Sequence, residues 1–250
     1  MFAKIADNAC VFAAFDFDLT TLGRFHDAVD SALARVGPKT MFASPVQYIL
    51  RLPEGHGLLG IGLKRFFWQF LGLSQWRDNL AEYVDISNMA VEKLGVRKFG
   101  RVGFKIMAFI PLGMTHAEMS RLMFGSYLAE QDDLAPILGE IEDPYVLFHG
   151  KRADLDYSLT LTAMTKANIT STFGQIPNIA NFLEDKYLDD SLREFHDHIS
   201  AQEAFFFDVD FSQIDVPSQN LAKFLSSSIT EAELLTEACV GHLQAKPLKK

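Results

Sequence analysis

The chain has 250 residues, 48% of them hydrophobic, and a net charge of −9 at pH 7. This length suits one large globular domain or two fused small ones, and the apolar fraction argues against a disordered chain. The acidic balance argues against a general nucleic-acid binder, whose surface would be basic. We therefore expect an acidic, soluble, globular protein.

The first half of the chain predicts the element order β-α-β-β-β-α. Alternation places Val11, Ala13 and Phe15 on one face of the first strand, and Asp16 and Asp18 on the other. The predicted elements are a strand at 10–19, a helix at 24–36, strands at 45–52, 57–63 and 65–71, and a helix at 74–94. Short strands joined by tight turns are typical of an antiparallel sheet.

The second half, from about Lys98, repeats this order. Phe104 faces one side of its first strand, while Arg101 and Lys105 face the other. Thr115 has the spacing of a capping box with the glutamate three residues later, which predicts a helix start. The predicted elements are strands at 101–110, 145–151, 157–167 and 204–211, a helix from 115, an irregular region at 168–200, and a helical region at 218–243.

This element order predicts an α+β protein whose antiparallel sheets carry helices on one face. Residues 1–97 would form one half and residues 98–250 the other half of a pseudo-duplicated unit, together one compact body. The face left open by the helices is expected to carry Asp16, Asp18, Arg101, Lys105, Asp208 and Asp210.

The two cysteines, Cys10 and Cys239, both lie in apolar segments. Two cysteines in a chain of this length predict neither a disulfide framework nor a zinc site, so we expect buried free thiols. No apolar stretch approaches the roughly 18 residues of a membrane span. The apolar segment at 9–15 lacks the charged start and cleavage site of a signal peptide. These features predict a cytoplasmic protein with no membrane association.

Paired aspartates follow an apolar strand twice, in Phe15-Asp16-Phe17-Asp18 and in Phe207-Asp208-Val209-Asp210. The simplest interpretation is charge pairing, with the first aspartate pair near Arg101 and Lys105 on a neighbouring strand. A second interpretation is that all four carboxylates converge on a divalent metal ion.

The first aspartate pair also resembles motif I of the haloacid-dehalogenase superfamily, in which an apolar strand ends in Asp-x-Asp-x-Thr. Asp16, Asp18 and Thr20 match it. The resemblance implies Asp16 as nucleophile on phosphorus, Asp18 handling the leaving-group proton, and a magnesium ion between them. Leu19 stands where glycine is usual, and the alternating β-α units of a parallel sheet are missing. A magnesium-dependent phosphohydrolase is therefore an alternative function.

A longer part of the chain resembles a family of uncharacterised, sporadically distributed bacterial proteins of similar length. The resemblance rests on the helix around Trp76, the strand Gly100-Arg101-Val102-Gly103-Phe104-Lys105, the helix at 117–128, the strand Phe206-Phe207-Asp208-Val209-Asp210, and Ile229-Thr230-Glu231. It implies neither a reaction nor a catalytic residue.

Two further clusters are candidate sites. Three aromatic residues are consecutive in the sequence, Phe66, Phe67 and Trp68. They belong to the core or, if exposed, form a partner-binding surface together with Arg101 and Lys105. The segment His196-Asp197-His198 would direct both histidines to one side only in a strand. Its neighbours favour a helix, so we expect a solvated helix edge there rather than a metal site.

For function, the incomplete catalytic set favours a non-catalytic protein-binding or assembly module without a cofactor. Its partner would be another protein or a second copy of the chain. The sporadic distribution of the resembling family suggests an accessory or defence-associated bacterial protein. Besides the phosphohydrolase, a small-molecule-binding domain with a closed cavity between sheet and helices is an alternative.

Overall fold

The computed structural model describes residues 9–37, 40–52, 57–71, 80–127, 144–175 and 197–245. Its strands are β1 (Ala9–Asp16), β2 (Thr40–Ser44), β3 (Gln47–Arg51), β4 (Gly57–Gly62), β5 (Arg65–Leu71), β6 (Lys98–Ile110), β7 (Tyr145–Arg152), β8 (Leu155–Met164) and β9 (Ala204–Pro217). Its helices are α1 (Leu22–Val36), α2 (Leu80–Leu94), α3 (His116–Tyr127), α4 (Lys166–Gly174) and α5 (Leu221–Ala245), the last preceded by a 3-10 turn at Ser218–Asn220.

The nine strands form one continuous sheet in the order β2-β3-β4-β5-β1-β6-β9-β8-β7. All of its neighbouring strand pairs are antiparallel. Each half has its first strand at the centre of the sheet and its last strand next to it. The remaining strands follow outward in reverse chain order, as β5-β4-β3-β2 in one half and β9-β8-β7 in the other. The central pair β1–β6 joins the halves along its length, from Ala9 opposite Ala108 to Asp16 opposite Arg101. The predicted α+β class and antiparallel sheet are confirmed.

The main core lies between one sheet face and the helices α1, α2, α3 and α5. Phe15 of β1 occupies its centre, with no exposed surface. Its ring centroid lies 5.7 Å from that of Phe66 on β5 and 5.7 Å from that of Phe99 on β6. This single aromatic cluster connects the two halves of the sheet, which explains why the strand alternation in both halves has a strongly apolar face.

A second, smaller apolar cluster lies on the opposite face, at one end of the sheet. Cys10, Met107 and Phe206 contribute from the central strands, while Ile169 and Phe173 contribute from α4. Helix α4 therefore covers this end, whereas the other end of the same face carries polar side chains. Because of this division, we use "open face" for the polar part only.

Several element boundaries differ from the sequence prediction. Strand β2 is additional, and β9 continues six residues beyond the predicted end, to Pro217. The region at 168–200 includes part of a regular helix, α4. The capping box at the start of α3 is confirmed, since the Thr115 backbone N–H donates to Glu118 Oε2 over 2.8 Å. Trp76 and His196 lie outside the described residues.

Both cysteines are free thiols. Cys10 is fully buried in the smaller cluster, whereas Cys239 on α5 is half-buried. Burial raises the pKa of both thiols, since a thiolate would lose its hydration there. Within the described ranges, no helix is long and apolar enough to cross a membrane.

Candidate functional site

The open face carries charged side chains on four adjacent strands, β5, β1, β6 and β9. The register places Arg65, Asp16 and Arg101 in one row across the sheet. Lys105 lies opposite Asp210 on β9, four residues further along β6. Side chains of one face alternate with core side chains along each strand, so these charges share the face opposite Phe15 and its neighbours. We call Asp16, Arg65, Arg101, Lys105, Asp208 and Asp210 the charged strip.

Asp16 is held by Arg65 rather than by the predicted partners. Arg65 Nε and Nη2 donate to the two carboxylate oxygens of Asp16 over 2.5 and 3.0 Å, an arrangement in which both ends of the guanidinium fork are used. Arg101 lies opposite Asp16 on β6, the other neighbour of β1, but its ion pair is with Asp210. The expected position of Asp16 beside Arg101 is confirmed, but the expected ion pair is wrong, because β1 has a second basic neighbour on β5 that sequence order does not reveal.

Asp208 is the least solvated carboxylate of the charged strip. Its side chain is 17% exposed, and one oxygen accepts from Lys105 Nζ over 2.8 Å. The other oxygen, Oδ1, is buried without a hydrogen-bond partner in the described part of the chain. Burial raises the pKa of Asp208 above its ordinary value, and the Lys105 charge opposes this only partly.

The pKa of Asp210 is also raised, and its basic partner is more distant than that of Asp208. The nearest approach of Arg101 to its carboxylate is 3.7 Å, too long for a strong hydrogen bond. Burial raises the pKa of Asp210, and the positive charges of Arg101 and Lys105 oppose this rise only partly. The two carboxylates on β9 thus differ from Asp16, whose carboxylate is bound on both oxygens.

The register separates the two aspartate pairs. Asp16 lies opposite Arg101 and Asp208 opposite Met107, six residues apart along β6, or about 20 Å at the rise of a strand. Asp18 lies beyond the end of β1 and is exposed. The hypothesis that all four carboxylates converge on one metal ion is therefore wrong. In the described ranges, no group of three or more His, Cys, Asp or Glu side chains could hold a metal.

The resemblance to haloacid dehalogenases implies a parallel sheet, whereas β1 lies between two antiparallel neighbours. Asp16, the implied nucleophile, is bound on both oxygens by Arg65. Thr20, which matches the last motif position, donates its hydroxyl to the Leu94 carbonyl over 2.8 Å. The described contacts of Asp16 and Thr20 thus have a structural explanation without a reaction.

The aromatic candidates for partner binding divide between the two faces. Phe66 and Trp68 are 0% and 1% exposed and face the main core, so their assignment to a partner-binding surface is wrong. Phe67 faces the other way and is half-buried, with its ring over Gly60. Arg101 and Lys105 do lie on the open face, 46% and 35% exposed.

The edge strand β7 carries an exposed apolar group that the sequence analysis missed. Tyr145, Leu147 and Phe148 are 62%, 46% and 38% exposed. Leu147 and Tyr145 flank the open face, and Phe148 lies on the helix side, 6.2 Å from Tyr127 between ring centroids. The strand's apolar composition was visible in the sequence, but its position as the last strand of the sheet was not.

An open groove lies between this edge and the charged strip. Its volume is about 450 Å³. Ser158 and Ser212 line it with Arg101, Lys151 and Asp156. The open face beside β7 is therefore polar and contoured, while β7 itself is apolar.

Comparison with protein-family models gives no match for this chain, and comparison with curated proteins gives no significant match. The likeness to an uncharacterised bacterial family thus stays a prediction.

The raised pKa of Asp208 has a measurable consequence for stability. Above its folded-state pKa the buried carboxylate is charged and costs stability. As pH falls through that pKa, the folded protein takes up a proton before the unfolded chain does, so this cost is relieved. We expect the free energy of unfolding of Asp208→Asn to exceed that of wild type by more at neutral pH than near pH 3.8, the ordinary pKa of an aspartate. Urea unfolding of both proteins across that pH range measures this difference.

A second variant checks the assigned cause. Lys105→Met removes the charge that lowers the pKa of Asp208, so the pKa should rise further in an NMR titration of the Asp208 carboxyl. A wild-type Asp208 that titrates below an ordinary aspartate would contradict the first prediction, and an unchanged pKa in Lys105→Met would contradict the second.

Proposed function

We propose that the protein is a non-catalytic protein-binding module, and that its partner adds an extended segment to the free edge of β7. The observation that carries this proposal is the group of exposed apolar side chains on the outermost strand of a nine-stranded sheet. Binding at such an edge needs no catalytic residue. It uses the backbone for affinity and the flanking side chains for specificity.

The edge position supplies the backbone part of the interaction. Among the described residues, β7 pairs with β8 alone, from Tyr145 to Arg152. Roughly half of the N–H and C=O groups of an antiparallel strand point to each side, so those on the outer side of β7 can pair with an added strand. Edge strands in natural proteins are commonly protected, which makes an exposed apolar edge informative.

The side chains of β7 indicate the chemistry of the partner. The strand contains His149, Lys151 and Arg152 and no acidic residue, in a chain whose net charge is −9. Lys151 is 79% exposed and pairs with Asp156 over 3.0 Å, a solvent-exposed contact that a partner carboxylate can replace. We infer a partner segment in which apolar residues alternate with acidic ones.

The test begins with random peptides displayed on phage and selected against the whole protein. The most enriched sequence is then synthesised, and its affinity is measured by titration calorimetry. Leu147→Lys should weaken binding by about tenfold or more, because it places a charge in the apolar centre of the interface. Enriched peptides should alternate apolar and acidic residues.

A matched control is Leu22→Lys on α1. Leu22 is 55% exposed, compared with 46% for Leu147, and α1 packs against β3 and β4 in the other half of the sheet. This variant should bind the peptide as wild type does. Equal affinity of the Leu147 variant and wild type would contradict the proposal. So would a wild-type dimer in sedimentation that Leu147→Lys dissociates, since the occupant of the edge would then be a second copy.

A further inference from the structure

Two adjoining hollows lie where the ends of β1, α2 and β9 meet, and none of their lining residues belongs to β7. Their volumes are about 450 and 320 Å³. Both are lined by Arg24, Gly95, Val96 and Arg97. We call this pair of hollows the arginine cleft. Three stretches that are distant in sequence form its walls, near residues 17–24, 88–98 and 218–219.

Long-range hydrogen bonds hold these walls in place. The Thr20 hydroxyl donates to the Leu94 carbonyl over 2.8 Å, which ties the segment after β1 to the end of α2. The Ser218 backbone N–H donates to the Arg97 carbonyl over 3.0 Å, which ties the corner after β9 to the same place. The walls of the cleft are therefore held by hydrogen bonds within the chain itself, which pre-organises the site.

Gly95 positions the guanidinium of Arg24 in the cleft. Its φ is +70°, a backbone conformation that residues other than glycine adopt only at a cost in free energy. A Cβ atom at this position would lie only 2.0 Å from Arg24 Nη1. The missing side chain of Gly95 is what allows the guanidinium to lie across the end of α2.

Two arginines that line the cleft are available to bind an anion. Neither Arg24 nor Arg97 makes an ion pair with another residue in the described part of the chain. Lys98, by contrast, is engaged with Asp215 over 2.6 Å. The acidic residues that also line the cleft are Glu92 in the larger hollow and Asp18 in the smaller one. Arginine side chains lining one cleft can donate to several oxygens of a phosphate group at once.

We propose that the arginine cleft binds a phosphate-bearing small molecule of the nucleotide type. Arg24 and Arg97 would hold the phosphate. Glu92 would accept a hydrogen bond from a hydroxyl or amino group of the ligand, and Val91 and Val96 offer an apolar wall to its body. This site is independent of the β7 edge and adds a second binding activity to the protein.

A purely structural role for Arg24 is the competing explanation. A cation at the C-terminal end of a helix is stabilised by the helix dipole, and Arg24 lies at the end of α2. That role requires Arg24 alone. It does not require Arg97, which belongs to the segment after the helix, and it predicts an effect on stability without an effect on ligand binding.

The experiment is titration calorimetry of the full chain with ADP and, separately, with inorganic phosphate. ADP should bind, and more tightly than phosphate, because its body adds contacts with the walls. Arg24→Gln and Arg97→Gln should each weaken ADP binding by about tenfold or more, the usual loss for a charge-assisted hydrogen bond. Arg35→Gln is the control, since Arg35 is exposed in the last turn of α1, outside the cleft.

Two results would overturn the proposal. One is the absence of binding by wild type for both ADP and phosphate at millimolar concentration. The other is an Arg97→Gln variant that binds ADP as tightly as wild type, even if Arg24→Gln lowers the melting temperature. Leu147→Lys should leave ADP binding unchanged, so a failure here is distinguishable from a failure of the peptide-binding proposal.

Discussion

Phe15→Ala is expected to lower the free energy of unfolding by about 3–5 kcal/mol, the usual loss for a phenylalanine removed from a core. Phe15 has no exposed surface and contacts the rings of Phe66 and Phe99 on the two neighbouring strands. Its removal leaves a cavity between the two halves of the sheet. Urea unfolding followed by circular dichroism measures the loss. Phe42→Ala on the edge strand β2 is the control, since Phe42 is 44% exposed and should cost much less.

The same unfolding experiment tests whether the halves form one cooperative unit. Both tryptophans, Trp68 and Trp76, belong to the first half, so their fluorescence reports on that half, while circular dichroism reports on the whole chain. We expect the two signals to change together, because the β1–β6 pairing and one core span the boundary. Two separate transitions would show that residues 1–97 and 98–250 unfold independently.

Gly60→Ala should destabilise the protein by about 1–3 kcal/mol, as overpacking of a filled site usually does. Gly60 lies in β4 opposite Phe67, and an added Cβ would come within 1.9 Å of the Phe67 ring. The ring would have to leave its place over the glycine, where it packs against the smaller apolar cluster. Thermal and urea unfolding measure the change.

A double variant isolates that contact. With Phe67→Ala already present, Gly60→Ala should cost much less, since the ring that it displaces is gone. Gly125→Ala on α3 is the control because a Cβ there meets no atom within 4 Å, and alanine favours a helix. Additive effects of the two substitutions at 60 and 67 would contradict the proposed clash.

The apolar face of each central strand was predictable from the sequence alone. Side chains alternate strictly along a strand, so the spacing of Val102, Phe104 and Ile106 was enough to place Arg101 and Lys105 on the opposite face. The start of α3 was predictable for a similar reason, since a capping box acts over three residues. Local periodicity determines such features whatever the rest of the chain does.

The candidate sites depended on information that periodicity does not contain. Alternation does not say which strands are neighbours, so it missed Arg65 as the partner of Asp16. It also does not distinguish an edge strand from a central one, so it missed Leu147 as a surface residue. The same limit placed Phe66 and Trp68 among partner-binding candidates, although the helices bury both.

The α+β class, most of the elements except β2, and the two faces of the central strands were predictable from the sequence, because these follow from local spacing and backbone preference. The strand order, the covering of one end of the second sheet face by α4, and the cleft that both Arg24 and Arg97 line are set by the tertiary structure. These arise from contacts between residues far apart in the chain, whose free energy depends on the whole packing arrangement and has no local pattern.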